Sequence, residues 1–439
     1  MVDALVRKTE FLCGSVQAPS SKSYTHRAII AASLSEGRSL IKKPLVCDDT
    51  LATIDACKAL GAEMQIKADS IEVSGKSKPN TPEDVIFCRD SGSTIRFLTP
   101  VCALAPGISV LTGGKSLRRR PMAPLLEALR QLGVRCYSAR GDGRPPLIVF
   151  GGGIKGGRAE IRGDVSSQFV SGLLFASPKA DSDVELVLKT PLKSKPYVDM
   201  TVEVLQECGV KIVFEPDRQA FIVESGQIYT PLDYEVEGDY SSAAFILAAA
   251  ALIESEVEVT NLRRDSIQGD RRIIDILREM GVRLEVKEDR VKVKGGGCSL
   301  SGVKFSADDN PDLVPVLMVL GCVAEGETVI EGVKRLRWKE SSRVEALTVE
   351  LEKLGGEIRQ MNDKVVVKGA RRFKGADLNC HGDHRVMMAL TVAALISEGE
   401  CRIHGVECVS KSYPNFIQDL ISLGGRIIYP VTRSGKPSR

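Results

Sequence analysis

Two similar α/β domains, each built from three βαβαββ units, are predicted for this chain of 439 residues. Three observations carry the prediction. A short phrase, a helical run ending at a glycine and followed by a strand, recurs six times as KALGAEM, RQLGVRC, QECGVKI, REMGVRL, EKLGGEI and ISLGGRI. Its first glycines, Gly61, Gly133, Gly209, Gly281, Gly355 and Gly424, stand 72, 76, 72, 74 and 69 residues apart, so six units of one size account for nearly the whole chain. The length also exceeds what a single hydrophobic core organises.

Each unit reads in the same order. An alanine-rich helix, apolar nearly all round, leads into a strand often introduced by Glu-Gly, as in HRAIIAASLSEGRSLI, VLMVLGCVAEGETVI and VMMALTVAALISEGECRI. Helices without a polar face belong in a core. A polar loop and a second, amphipathic helix follow, such as APLLEALRQLG or SRVEALTVELEKLG. That helix stops at the repeat glycine, which suits a left-handed cap. A strand pair with alternating apolar residues closes the unit, as in VRLEVKEDRVKVKG. The carboxyl-terminal TRSGKPSR is polar and expected to fray.

Composition narrows the function. Hydrophobic content of 43% with 27% charged residues is that of a soluble globular protein, and a net charge of +3 does not argue for a nucleic-acid surface. The longest apolar run, AAFILAAAALI, is about half of a membrane span. The opening MVDALVRKTEFLCG lacks the basic-then-apolar order of a signal peptide. Twelve cysteines are scattered without a Cys-x-x-Cys pair and sit mostly among apolar neighbours, which fits reduced core thiols in a cytoplasm. Four histidines without zinc-like spacing to cysteine leave no metal site to expect.

The polar residues gather ahead of the apolar helices. The six entries are SSKSYTHR, RDSGSTIR, GDVSSQF, EGDYSSA, ADDNPDL and HGDHRVM. Each supplies a small polar residue where an N-cap belongs, and for GDYSS a cap is reason enough. A cap does not call for Lys22, Arg27, Arg96 or Arg385. A cation at a helix N-terminus is unfavourable by about 0.3–1 kcal/mol through the macrodipole. Accepted repeatedly, that penalty points to an offsetting anion, since helix N-termini already offer free N–H groups. More cations stand before second helices: Arg118, Arg119 and Arg120 precede Pro121, Lys339 and Arg343 lie in RWKESSR, and Lys411 lies in VSKSYP. A small, multiply anionic ligand accounts for the set.

These residues bear a resemblance. Gly14-Ser15-Val16 with Pro19 to Arg27, Ser91 to Leu98, Leu117 to Pro121, Ser166-Ser167-Gln168, Ser194-Lys195-Pro196-Tyr197, Asp312, Lys339 to Arg343, Gly382 to Arg385 and Lys411 resemble, in order, the motifs of the 5-enolpyruvylshikimate-3-phosphate synthases, members of the enolpyruvyl transferases. The chain departs from the family's usual pattern at Asp90, Ser93 and Arg335, where Asn, Thr and Asn are frequent. The resemblance implies an enolpyruvyl transferase-like inverse α/β barrel. One domain would be discontinuous, 1–19 with 237–439, and the other, 20–236, inserted into it, with helix N-termini aimed at an interdomain cleft that holds the active site.

It also implies a reaction and roles. The enolpyruvyl group of phosphoenolpyruvate passes to the 5-hydroxyl of shikimate 3-phosphate, releasing phosphate, in the shikimate pathway to chorismate and aromatic amino acids. Asp312 and Glu340 are the expected acid–base carboxylates, and Lys22 also serves the hydroxyl side; Lys22 and Asp312 both remain open as the base. Phosphoenolpyruvate is expected among Lys22, Gly92, Arg120, Gln168, Arg343, Arg385 and Lys411. Shikimate 3-phosphate is expected among Lys22, Ser23, Arg27, Ser166, Ser167, Gln168, Ser194, Asp312 and Lys339. No cofactor is implied. A cytoplasmic monomer without nucleic-acid or membrane partners is expected, with glyphosate a candidate competitor for phosphoenolpyruvate. Two rivals stand beside this reading. The sister transferase acting on UDP-N-acetylglucosamine often carries a reactive cysteine in the loop that here reads Thr112-Gly113-Gly114-Lys115-Ser116-Leu117, and Asn where this chain has Ser23. A non-catalytic anion- or nucleic-acid-binding scaffold would favour interleaved aromatics, whereas aromatics here are 5%.

Overall fold

A computed structural model describes residues 2–296 and 299–429. The chain divides into two compact units, Met1–Pro19 with Gly238–Arg439, and Ser20–Glu237. We call them the discontinuous and the inserted unit. The sequence reading places Glu237 in the former. Its backbone carbonyl instead accepts from Ser21 N at 2.7 Å, which ties it to the first turn of the inserted unit. The expected fraying of TRSGKPSR falls on residues outside those described.

Six helices belong to the inserted unit: α1 (Lys22–Leu34), α2 (Asp48–Ala59), α3 (Gly92–Cys102), α4 (Ala123–Gln131), α5 (Ser167–Ala176) and α6 (Lys195–Glu207). Among the described residues six belong to the discontinuous one: α7 (Tyr240–Leu252), α8 (Ile273–Glu279), α9 (Val314–Val323), α10 (Arg343–Lys353), α11 (His384–Leu395) and α12 (Phe416–Ser422). The apolar helices are the odd-numbered ones, and they are buried as their composition requires. Every residue of α11, and every residue of α7 from Tyr240 to Ala251, is shielded from solvent. Each unit has its own hydrophobic core around three such helices.

Among the described residues each unit also has three four-stranded sheets with one topology. In the second repeat, Ile86–Phe87 runs parallel to Ile108–Thr112 across α3, as a helical crossover demands. Leu147–Phe150 then pairs antiparallel with Ile108–Thr112 and with Cys136–Ser138. The order first, second, fourth, third recurs in all six sheets.

The repeats are not all contiguous, contrary to the sequence reading. The first borrows its opening strand from Asp233–Glu235, which lies parallel to Gly37–Lys42. Among the described residues the sixth has only Ile427–Ile428 after its second helix, and Asp3–Val6 supplies the fourth strand, antiparallel to both Ile427–Ile428 and Cys401–His404. Phe11–Gln17 meanwhile opens the fourth repeat beside Glu254–Thr260. Each borrowed strand completes a four-stranded sheet: Asp233–Glu235 lies at an edge, whereas Asp3–Val6 lies between Cys401–His404 and Ile427–Ile428. Borrowing also explains why the first nineteen residues fold with the chain after Gly238.

The repeat glycines all have the conformation expected of them, with φ between +77° and +104°. The described cysteines are free thiols, and all but Cys13 are buried. Burial pushes the thiols of Cys57 and Cys102 up to about 12. Among the described residues no helix is long and apolar enough to cross a membrane.

Two glycines separate backbone strain from steric exclusion. At Gly281 φ is +100° and a Cβ would meet nothing nearer than 3.6 Å among the described residues, so Gly281→Ala is expected to lower unfolding stability by about 1–2 kcal/mol through strain. At Gly295 a Cβ would lie 1.8 Å from the Ala250 carbonyl oxygen. Gly295→Ala is therefore expected to lower it by about 3 kcal/mol or more, because the strand must leave the helix. Denaturant midpoints of the two variants test the ranking.

Candidate active site

The sequence-predicted residues form two clusters, one on each unit. On the inserted unit, three buried helices begin with serine caps. Ser21, Ser91 and Ser166 accept from the backbone N–H of Tyr24, Thr94 and Gln168. Lys22, the first residue of α1, donates through Nζ to Asp49 Oδ2 at 2.9 Å, and both side chains are largely buried. Arg96 Nη1 donates to Gln168 Oε1 at 2.7 Å, and Gln168 Nε2 to Ser93 Oγ at 2.7 Å. That relay orients the Gln168 amide and joins the starts of α3 and α5. The Arg96 guanidinium also lies 5.5 Å from the centre of the Phe169 ring.

Gly92 makes room for cations. A Cβ there would stand 2.6 Å from Arg120 Nη1 and 3.3 Å from Arg96 Nη1, so two guanidinium groups reach the N-terminus of α3. Arg120 is buried, whereas Arg118 and Arg119 are exposed. The loop carrying Arg120 is organised by Asp90, whose Oδ1 accepts from Ser116 Oγ at 3.0 Å and Leu117 N at 3.3 Å. Asp90 thus has a mechanical role at a position where the family pattern often has Asn.

Arg27 and Ser194 are also built in. Arg27 is 1% exposed and donates to Thr201 Oγ1, the Ser23 carbonyl and the Tyr197 carbonyl, which fastens α1 to α6. Burial pulls its pKa down to about 10, so it remains charged at neutral pH. Ser194 precedes α6 with φ +56°. Ser167 is buried, while Ser23 and Ser166 are half-buried at the starts of their helices.

The second cluster is organised by Arg343, the first residue of α10, itself 1% exposed. Its Nη1 donates to Asp312 Oδ1 at 2.8 Å, its Nη2 to Glu340 Oε2 at 2.8 Å, and its Nε to Asp383 Oδ2 at 2.9 Å. Asp312 also receives Lys339 Nζ at 3.4 Å and Arg385 Nη2 at 3.2 Å. Burial alone would push the Asp312 carboxyl up; Arg385, Lys339 and Arg343 outweigh it and hold the pKa well below the usual carboxylate range. Asp383 caps α11 by accepting from Arg385 N at 2.9 Å. Lys411 Nζ donates to the Gly382 carbonyl at 3.1 Å, beside that cap. Arg335 donates to the carbonyls of Ala307 and Asp308 and so steadies the loop leading to Asp312.

The cations therefore do not wait unmatched for an anion, as the helix-dipole reasoning expected. In the discontinuous unit the protein's own carboxylates offset them, and Asp49 does the same for Lys22. At α7 the cap reading holds: Asp239 accepts from Ser242 N and the Gln268 amide oxygen from Tyr240 N. Sequence reasoning missed Asp49 and Asp270 and gave Asp383 no role. Asp49, in the first turn of α2, and Asp270 carry no motif signal beyond a charge in a polar stretch, and only folding brings them to the clusters.

A sequence-family model described as EPSP synthase (3-phosphoshikimate 1-carboxyvinyltransferase) matches residues 6–420. Proteins named 3-phosphoshikimate 1-carboxyvinyltransferase from Methanocaldococcus jannaschii and Methanococcoides burtonii are each 45% identical. The first alignment covers 96% of this chain and 98% of the relative, the second 94% and 96%. The chain belongs to the EPSP synthase family. The solved EPSP synthase of Acinetobacter baumannii superposes with a TM-score of 0.84 at 26% identity, covering 98% of this chain and 100% of that one. The enolpyruvyl transferase NikO of Streptomyces tendae, at 20% identity, shares the fold with a TM-score of 0.81 over 98% of this chain and 99% of that one. The predicted fold class is thus that of this EPSP synthase chain.

Asp270 adds a titrating group. It is buried, accepts from Ser241 Oγ at 2.5 Å, and has its pKa raised to about 6 by burial and by the charge of Asp312. The folded state then holds this proton more tightly than the unfolded chain. The group's contribution to stability is greatest at low pH and declines as pH rises from about 4 through about 6. Asp270→Asn has no such ionisation. Its melting temperature relative to wild type is expected to be higher at about pH 8 than at about pH 5, as a thermal-shift series would read.

Proposed function

We propose that this chain transfers the enolpyruvyl group of phosphoenolpyruvate to the 5-hydroxyl of shikimate 3-phosphate, with the work divided between the two clusters. The family match and the named relatives carry the reaction class. They favour it over a UDP-N-acetylglucosamine transferase or a non-catalytic scaffold. The observation that supports the assignment of roles is Arg343 gathering Asp312 and Glu340 on one buried guanidinium.

The reaction needs a base for the hydroxyl and an acid for the methylene. The hydroxyl oxygen bonds to C2 of phosphoenolpyruvate while C3 gains a proton, giving a tetrahedral intermediate. Phosphate then leaves with the C–O bonding pair, and a proton is lost from the new methyl group to restore the enol ether. We assign the methylene proton to Glu340. Asp312, held ionised, accepts hydrogen bonds from the shikimate ring hydroxyls. Anionic substrates compete for the cations that depress its basicity; each guanidinium that turns to a substrate oxygen makes Asp312 a better proton acceptor. Lys22 is paired with Asp49, so it suits binding and charge stabilisation better than proton removal.

Phosphoenolpyruvate would take Lys22, Arg120, Gln168, Arg343, Arg385 and Lys411, with the backbone of Gly92 approached closely. Shikimate 3-phosphate would take Lys22, Ser23, Ser166, Ser167, Gln168, Ser194, Asp312 and Lys339, with Arg27 acting on the Ser23 end of its site. In the same proposal the enzyme works in the cytoplasm as a monomer, its partners are these small molecules rather than nucleic acid or membrane, and glyphosate competes with phosphoenolpyruvate.

Two variants test the assignment. Glu340→Gln is expected to bind both substrates and to lose about 10² to 10⁴ in kcat, the range for a positioned acid; steady-state phosphate release and equilibrium binding measure the two arms. Full activity in this variant would remove Glu340 from the chemistry. Gly92→Ala displaces Arg120 and is expected to raise the KM for phosphoenolpyruvate about tenfold, the effect of weakening one charge-assisted contact by about 1.4 kcal/mol. The KM for shikimate 3-phosphate should move much less.

A further inference from the structure

Beneath the helix starts of the inserted unit runs a line of buried polar side chains that the proposed chemistry does not use. His26 on α1 places Nδ1 2.7 Å from Thr53 Oγ1 on α2. Thr53 Oγ1 lies 2.7 Å from Thr94 Oγ1 on α3. Thr94 Oγ1 donates to Ser91 Oγ, the cap of α3, at 2.7 Å and also lies 3.3 Å from the Asp49 carbonyl oxygen. His26, Thr53, Ser91 and Thr94 are all shielded from solvent.

The placement repeats. His26 is four residues after Lys22, Thr53 four after Asp49, and Thr94 three after Ser91. Three and four residues are one helical turn, so each member of the line sits directly beneath a residue at the mouth of its helix. The direction of the hydrogen bonds follows from Thr94. Its hydroxyl hydrogen is used toward Ser91, so its oxygen accepts from Thr53. The Thr53 hydrogen is then used toward Thr94, and its oxygen accepts from His26 Nδ1–H. The ring is left with a bare Nε2, and no hydrogen-bond partner for that atom is present among the described residues. Burial, then the charges of Lys22 and Arg27, hold the imidazole pKa well below its usual value, which keeps the ring neutral.

A three-helix core does not need such a line. Apolar side chains of similar shape would serve its stability as well or better, since a net buried hydrogen bond is worth only about 1 kcal/mol and an unmade one is costly. What hydroxyls supply is register, because a slip of one residue along α2 breaks both interhelical bonds of 2.7 Å, and a slip along α1 or α3 breaks one of them. We propose that His26, Thr53 and Thr94 are positioning residues that lock α1, α2 and α3 axially and so place Lys22, with its partner Asp49, and Gly92 for anion binding. The proposal rests on the anion-binding role given above to Lys22 and Gly92.

Thr53→Val keeps the side chain's shape and removes its hydroxyl, whereas Thr53→Ser keeps the hydroxyl. In folded protein, Thr53→Val is expected to raise the KM for phosphoenolpyruvate about tenfold with kcat changed less than about threefold, since the assigned acid–base carboxylates belong to the other cluster. Thr53→Ser is expected to return KM to within about twofold of wild type. An unchanged KM in Thr53→Val, or a serine variant as impaired as the valine one, overturns the positioning role. Should Thr53→Val fail to fold, the pair Thr94→Val and Thr94→Ser acts at the next link and is read the same way. Long-range proton–nitrogen correlation NMR of the wild-type imidazoles, with the His26 signal identified by its loss in His26→Asn, supplies a readout independent of catalysis. A neutral ring protonated on Nδ1 is expected; a ring protonated on Nε2, or a cationic ring, breaks the line as drawn. Wild type that turns over no phosphoenolpyruvate would sink the proposed function while leaving the NMR result intact.

Discussion

A guanidinium taken out of water must be paired, and removing one partner from such a group is costly by about 3–5 kcal/mol. Arg343 meets that demand with three carboxylates: Asp312 from the approach to α9, Glu340 from the approach to α10, and Asp383 from the cap of α11. The three acids would repel one another without it. Holding them in common fixes the helix starts of the fifth and sixth repeats relative to each other. It also ties the geometry of the two carboxylates assigned to chemistry to the folding of their unit.

Electrostatic balance differs between the clusters. In the discontinuous unit, cations and carboxylates are interleaved, with Asp312 receiving Lys339, Arg343 and Arg385. In the inserted unit, Lys22 has Asp49, while Arg96 and Arg120 converge on a glycine whose missing Cβ makes the space. The first arrangement suits groups that exchange protons, because the ionisation of each acid responds to what its cations do. The second suits holding an anion against a helix N-terminus. Asp90 and Arg335, where this chain departs from the usual family pattern, both act on loops, one steadying the Arg120 loop and the other the approach to Asp312.

The repeat architecture makes this economical in sequence. One βαβαββ plan, used six times, delivers buried helices with capped starts, and substitutions at those starts become the site. Strands from distant segments complete the four-stranded sheets. The strands Asp3–Val6 and Phe11–Gln17 complete two sheets of the unit into which residues 20–237 are inserted.

The repeat glycines, the all-apolar helices and the capped helix starts were legible in the sequence because they obey local rules. A left-handed cap, a helix without a polar face and a small N-cap residue each depend on a few neighbouring residues. The motifs likewise marked most of the residues that gather in the two clusters. Tertiary structure alone decided which strands complete the first and sixth repeats, because sheet pairing across hundreds of residues leaves no local trace. It alone brought Asp49 to Lys22, Asp270 to Ser241, and Asp312 and Asp383 to Arg343, whereas Glu340 is one helical turn away in sequence. An ion pair's partner is chosen by distance and burial in space, whereas the chain encodes only that a charge is present.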